Sequence, residues 1–181
     1  PPPAPPPPPD FFFTQKTANE SMPCRVVAEK CISDFNNIKG GGGNDSIYGM
    51  WGNDTLEGGL GDDVLDGGAG EDSILGMDGY DVISGAAGDD ILEGGMGDDT
   101  ITGGDGQDTV VLAGNKGDFT FELAGDGTLT VTDLNTQTAL GVDTISGVET
   151  LRFNDGDLTV TTAQDGYVTL TGTAVSYTHL R

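Results

Sequence analysis

Cations are scarce in this chain. Its 181 residues hold 7 Lys and Arg against 30 Asp and Glu, a formal net charge of −23. A surface this acidic repels nucleic acid and anionic membranes and attracts cations. Histidine occurs once, at His179. The two cysteines, Cys24 and Cys31, are compatible with a small disulfide loop and say nothing about compartment. No apolar run reaches the roughly 18 residues that cross a bilayer. The opening Pro1–Pro9 has no basic segment ahead of an apolar one, so no cleavable signal is read there. The chain also begins without Met and reads as a piece of a longer protein. Catalytic signatures are missing too. There is no G-x-S-x-G elbow and no H-E-x-x-H, and Gly114-Asn115-Lys116-Gly117 is a turn with a lysine, not a phosphate loop. The EF-hand pattern is absent. Carboxylates abound, but a glycosidase needs aromatic sugar platforms, and only 7% of the residues are aromatic. The chain is therefore expected not to be an enzyme.

What the chain does have is glycine, 31 residues of it against a usual share of about 7%. Composition alone fits a disordered acidic segment. Spacing decides otherwise. From Gly40 the sequence divides into nines: GGGGNDSIY, GMWGNDTLE, GGLGDDVLD, GGAGEDSIL, GMDGYDVIS, GAAGDDILE, GGMGDDTIT and GGDGQDTVV. The first and fourth positions are always Gly, the sixth is always Asp, and the eighth is Ile, Leu or Val. Met50, Met77 and Ala86 replace Gly at the second position, which is expected to need it less than the first and fourth.

Gly40–Val111 resembles the glycine- and aspartate-rich repeats of the repeats-in-toxin (RTX) family of secreted bacterial proteins, over about 40% of the chain. Eight consecutive matches at four positions set the pattern apart from chance. The resemblance implies an all-β fold, a parallel β-roll (solenoid) of eight nonapeptides, two to a coil, with calcium between the turns. Each unit is expected to spend six residues on a turn and three on a short strand. The eighth-position aliphatics, Ile47, Leu56, Leu65, Ile74, Ile83, Leu92, Ile101 and Val110, form the inward column. One repeat buries almost nothing, so the units must stack.

Stacking two repeats apart places Asp45, Asp63, Asp81 and Asp99 in one column and Asp54, Asp72, Asp90 and Asp108 in the other. Carboxylates about 5 Å apart repel by roughly 3 kcal/mol per pair at an effective dielectric near 20. The 72 residues from Gly40 to Val111 carry 14 Asp and 3 Glu with no Lys or Arg. A hard divalent cation reverses that repulsion. Calcium accepts six to eight oxygens in irregular geometry, whereas magnesium demands a tight octahedron and zinc would want Cys or His. The expected ligands are the eight aspartates and the carbonyls of the turn glycines Gly43, Gly52, Gly61, Gly70, Gly79, Gly88, Gly97 and Gly106. About six calcium ions fit between the stacked turns. Simple capping of turns by these aspartates is the lesser reading. Asp62, Glu71, Asp89 and Asp98 at the fifth position are read as solvated turn carboxylates, as are Asp66, Asp78 and Asp105. Trp51 and Tyr80 are read as surface or end-packing aromatics and not as ligand platforms.

Around the roll, residues 1–39 read as a proline-rich, poorly ordered lead-in, with a short strand near Arg25–Ala28. Residues 112–174 read as a β-hairpin-rich C-terminal cap. One hairpin pairs Phe119–Leu123 with Leu129–Leu134, and another pairs Val148–Phe153 with Leu158–Val160. One more strand is expected at Gly166–Leu170. Gly141–Gly156 also resembles segments that follow such repeats. Val175–Arg181 resembles translated adapter sequence and is set aside as a tail. Three readings of function stay open: a non-catalytic calcium-binding module of a secreted protein, exported unfolded by a one-step (type I) apparatus; the accessory end of a secreted protease, lipase or polysaccharide-modifying enzyme; and a spacer in an adhesin or surface-layer protein with a cell-surface or matrix partner. All three place the chain outside the cell, with no nucleic-acid partner and no membrane span.

Overall fold

A computed structural model describes residues 35–124, 127–135, 140–162, 168–172 and 176–180. The strand expected near Arg25–Ala28 lies outside them. Nine strands wind as a parallel solenoid: β1 (Asn37–Gly42), β2 (Ser46–Trp51), β3 (Thr55–Leu60), β4 (Val64–Ala69), β5 (Ser73–Asp78), β6 (Val82–Ala87), β7 (Ile91–Met96), β8 (Thr100–Asp105) and β9 (Thr109–Val111). Odd strands pair only with odd and even only with even within the winding, each register offset by 18 residues, as in Leu56↔Ile74 and Ile47↔Leu65. One coil is therefore two nonapeptides, as the resemblance implied. The fold is all-β, a β-roll; the only helical element among the described residues is one 3₁₀ turn, Lys116–Asp118.

The division of each unit differs from expectation. Strands run six residues, from the seventh position through the third of the next unit, and only three residues turn. Burial alternates along each strand: the eighth-position aliphatic faces in, the ninth outward, and the first-position glycine in again. Glycine brings no side chain to the interior, so the inward stripe is one aliphatic wide. All eight of those aliphatics are 0–1% exposed.

The second position also departs from expectation. It takes positive φ throughout, including Met50 (81°), Met77 (85°) and Ala86 (77°), whose Cβ atoms make that conformation costly. The first position needs glycine for space and not for φ. The fourth needs it for both, since φ there is 98–155° and the preceding coil's backbone crowds it.

Parallel pairing does not stop at Val111 or start at Gly40. β1 lies one strand earlier, with the half-buried Ile38 in the aliphatic column opposite Leu56. After β9 the chain leaves the roll for β10 (Phe119–Leu123) and β11 (Leu129–Asp133), the expected antiparallel hairpin. It then returns: β12 (Val142–Ser146) pairs parallel with β8, and β13 (Thr150–Arg152) parallel with β9. These two strands form a further coil, its Ile145 and Leu151 continuing the aliphatic columns. β14 (Leu158–Thr162), β15 (Val168–Gly172) and β16 (Ser176–Leu180) extend the β13 edge antiparallel. Phe153 packs its ring 5.5 Å from Phe119 and 6.0 Å from Phe121, joining the hairpin to the last coil. Buried Lys116 donates from Nζ to the carbonyls of Asp155 and Gly156 at 2.9 and 2.8 Å, tying the turn before β14 to the 3₁₀ turn.

Candidate metal centre

Every sixth-position aspartate is buried, at 0–2% exposure, although it lies in a turn. The three-residue turn directs its side chain back under the preceding strand, where the first-position glycine leaves room. One carboxylate oxygen, Oδ1, accepts the main-chain N–H of the aspartate one coil earlier. The donors are Asp45 to Asp63 (2.7 Å), Asp54 to Asp72 (2.7 Å), Asp63 to Asp81 (2.8 Å), Asp72 to Asp90 (2.8 Å), Asp81 to Asp99 (2.9 Å) and Asp90 to Asp108 (2.9 Å). The two predicted columns are thus brought together as stacks. Turn-capping accounts for only half of each carboxylate, and the bond it makes is between coils, not within one turn.

The other oxygen is different. Oδ2 of Asp54, Asp63, Asp72, Asp81, Asp90, Asp99 and Asp108 is fully buried without a hydrogen-bond partner. A buried polar oxygen left unpaired costs about 1–3 kcal/mol, more when charged. Each of these oxygens sits where a Cβ on a first-position glycine would stand: Asp63 over Gly58, Asp81 over Gly76, Asp90 over Gly85. Several of these spaces are shared with a carbonyl of the next coil. A Cβ on Gly58 would lie 2.9 Å from the Gly76 oxygen, and one on Gly85 2.8 Å from that of Gly103. Fourth-position carbonyls form a separate row, each facing the Cα of the fourth-position glycine one coil on, as Gly43 faces Gly61.

Burial pushes the carboxyls of Asp63, Asp81 and Asp90 up to about 6, against the opposing N–H bond, and neighbouring column carboxylates push further. Asp72, Asp99 and Asp108 move the same way, again chiefly through burial. No cation offsets the columns: between Gly40 and Val111 there is no Lys or Arg.

The donor set is oxygen throughout, unpaired and negatively charged, which fits calcium. Among the described residues no three His, Cys, Asp or Glu side chains gather into one cage. A stack with one carboxylate per level explains this, because two adjacent levels bring two carboxylates, and the remaining oxygens of a calcium shell would have to come from main-chain carbonyls.

Two residues that extend the columns escaped the sequence reading. Asp143 accepts the Asp99 N–H at 3.0 Å, and Glu149 Oε2 accepts that of Asp108 at 2.9 Å, so each column continues into the last coil. The signal for Asp143 was present: Gly141-x-Asp143-x-Ile145 repeats the frame of the fourth, sixth and eighth positions. The fifth-position side chains are also more than solvated. Asn44, Asn53, Asp62, Asp89 and Asp98 accept the N–H of the residue one coil later, at 2.9–3.1 Å. This ladder runs opposite to the sixth-position one. Trp51 and Tyr80 are exposed, as expected.

The family model of the RTX calcium-binding nonapeptide repeat matches residues 33–65, 49–83, 66–101, 75–110 and 84–118. Residues 33–118 are RTX-family repeats. Their β-roll is a calcium-binding module, and the match reaches into β1, outside the eight units read from the sequence. No curated protein matches the chain. Among solved structures it is similar to an extracellular lipase, LipA, from Serratia marcescens, at 22% identity and a TM-score of 0.33. That alignment covers 70% of this chain and 18% of the lipase, so the RTX chain spans under a fifth of that protein's length.

Proposed function

We propose that this RTX roll is a non-catalytic module of a secreted protein that stays unfolded in the low calcium of the cytosol and folds on calcium outside the cell. The observation that carries this is the row of seven buried, unpartnered Oδ2 atoms with no cation beside them. Asp45, Asp54, Asp63, Asp72, Asp81, Asp90, Asp99 and Asp108 would hold the ions by their carboxylates. The carbonyls of Gly43, Gly52, Gly61, Gly70, Gly79, Gly88, Gly97 and Gly106, together with first-position carbonyls such as those of Gly76 and Gly103, would complete the oxygen shell. Calcium supplies the positive charge that this interior lacks. The intervals between repeat aspartates number three per column, hence about six ions. Extracellular modules of this kind bind with Kd near 10⁻⁴–10⁻³ M, so export from low to about millimolar calcium couples folding to location. A one-step (type I) export apparatus that passes unfolded chains suits that order of events.

Limited proteolysis of the full chain tests the proposal. The expected result is cleavage throughout residues 40–111 in chelator and protection of that segment in about 1 mM calcium. Equal cleavage in both would overturn it.

A further inference from the structure

The repeats end at Val111, yet the two carboxylate columns do not. Asp143, 4% exposed, stands one level beyond Asp99, and Glu149 one level beyond Asp108. The last coil reproduces the bonds that link every pair of repeat turns. Thr144 N–H donates to the Asp99 carbonyl at 2.8 Å, as Thr100 N–H does to that of Asp81. Val142 N–H donates to Asp98 Oδ1 at 2.9 Å, as the fifth position requires. Gly141, at φ 79°, faces the Gly97 carbonyl as a fourth-position glycine. On the other column, Glu149 and Thr150 N–H both donate to the Asp108 carbonyl, at 3.2 and 3.0 Å. The Gly147 carbonyl takes the place over Gly103 that a first-position carbonyl takes elsewhere, beside the Asp108 carboxylate. This half-coil advances by six positions, from Thr144 to Thr150, where the repeats advance by nine, and the longer glutamate side chain still meets the N–H.

We infer that the cap contributes two further calcium sites, one between Asp99 and Asp143 and one between Asp108 and Glu149, which close the roll. The second observation that points to a ligand is the pair of unpartnered oxygens in the last repeat of each column: Oδ2 of Asp99 and Oδ2 of Asp108 are buried and without hydrogen-bond partners, with no repeat above them, and that of Asp108 shares the space over Gly103 with the Gly147 carbonyl. An uncompensated carboxylate pair at the end of each column would repel the returning strand. An ion there draws β12 and β13 onto β8 and β9, and through Phe153 the hairpin of β10 and β11 follows. The cap then folds with calcium, not merely beside it. This inference rests on calcium binding by the roll proposed above.

Native mass spectrometry of the full chain with added calcium tests it. The substitutions Asp143→Asn and Glu149→Gln each keep an oxygen acceptor for the N–H and remove the charge. The double variant should bind two ions fewer than the parent chain while its calcium-induced β signal persists. An unchanged ion count would overturn the inference. Should the double variant not fold, the count of the parent chain decides: about eight ions, four per column, supports the two terminal sites, and about six overturns them. A parent chain that binds no calcium is the separate failure of the underlying proposal.

Discussion

Residue by residue, the roll depends on where side chains are missing. Gly88 has φ 135°, and a Cβ there would run into the Gly70 carbonyl of the coil below. Gly88→Ala should destabilise the calcium-loaded roll by at least about 2 kcal/mol in urea unfolding, from left-handed strain and forced separation of the coils. Ala86 already bears that strain at φ 77°. Ala86→Gly should stabilise the loaded roll by up to about 1 kcal/mol in the same assay, part of the gain offset by the freer unfolded chain. Asp81→Asn separates the two jobs of a column carboxylate. Its amide oxygen still accepts the Asp63 N–H, but the charge is gone. Calcium titration should show a midpoint shifted to higher calcium, with the metal-free chain no less structured than before.

At the level of strands and turns, the frame was legible because Asp and an aliphatic recur every nine residues, which determines the inward column, while the 18-residue coil was implied by the resemblance to the RTX repeats and not by the period. Strand length was not legible, because the inward neighbour of each aliphatic is a glycine and leaves no hydrophobic mark. β1 was hidden because Asn36 and Ile38 keep the phase without the glycines. The last coil was hidden because residues 112–140 interrupt the period and its second half is three residues short, with Glu149 for Asp. The turn before β14 carries its own prediction. Lys116 holds two carbonyls there, and its main-chain N–H, followed by its side-chain ammonium, keeps the Asp155 carboxyl below the usual range. Lys116→Met should speed amide hydrogen exchange in β13 and β14 and leave β4 and β6 unchanged.

Over the whole molecule the balance is electrostatic. The carboxyls of Asp63, Asp72, Asp81, Asp90, Asp99 and Asp108 hold protons more tightly folded than unfolded, with values near 6 for Asp63, Asp81 and Asp90 against 3.8 unfolded. In metal-free protein their ionisation therefore removes stability as pH rises from about 4 through about 6, and the loss is complete above that range. Acidified, calcium-free protein should gain β-structure by circular dichroism. With calcium the sign reverses, since only ionised carboxylates bind it, and the calcium midpoint should rise as pH falls below about 6. Both effects follow from one arrangement, a thin apolar stripe between two columns of buried charge.

Far-ultraviolet circular dichroism of the full chain, titrated with calcium from a chelated start beside a magnesium control, tests that arrangement at its centre. A cooperative transition from coil to β between sub-millimolar and millimolar calcium, absent with magnesium, is the predicted result. A spectrum already rich in β in chelator and unmoved by calcium would contradict it, and the aspartate columns would need another source of compensation.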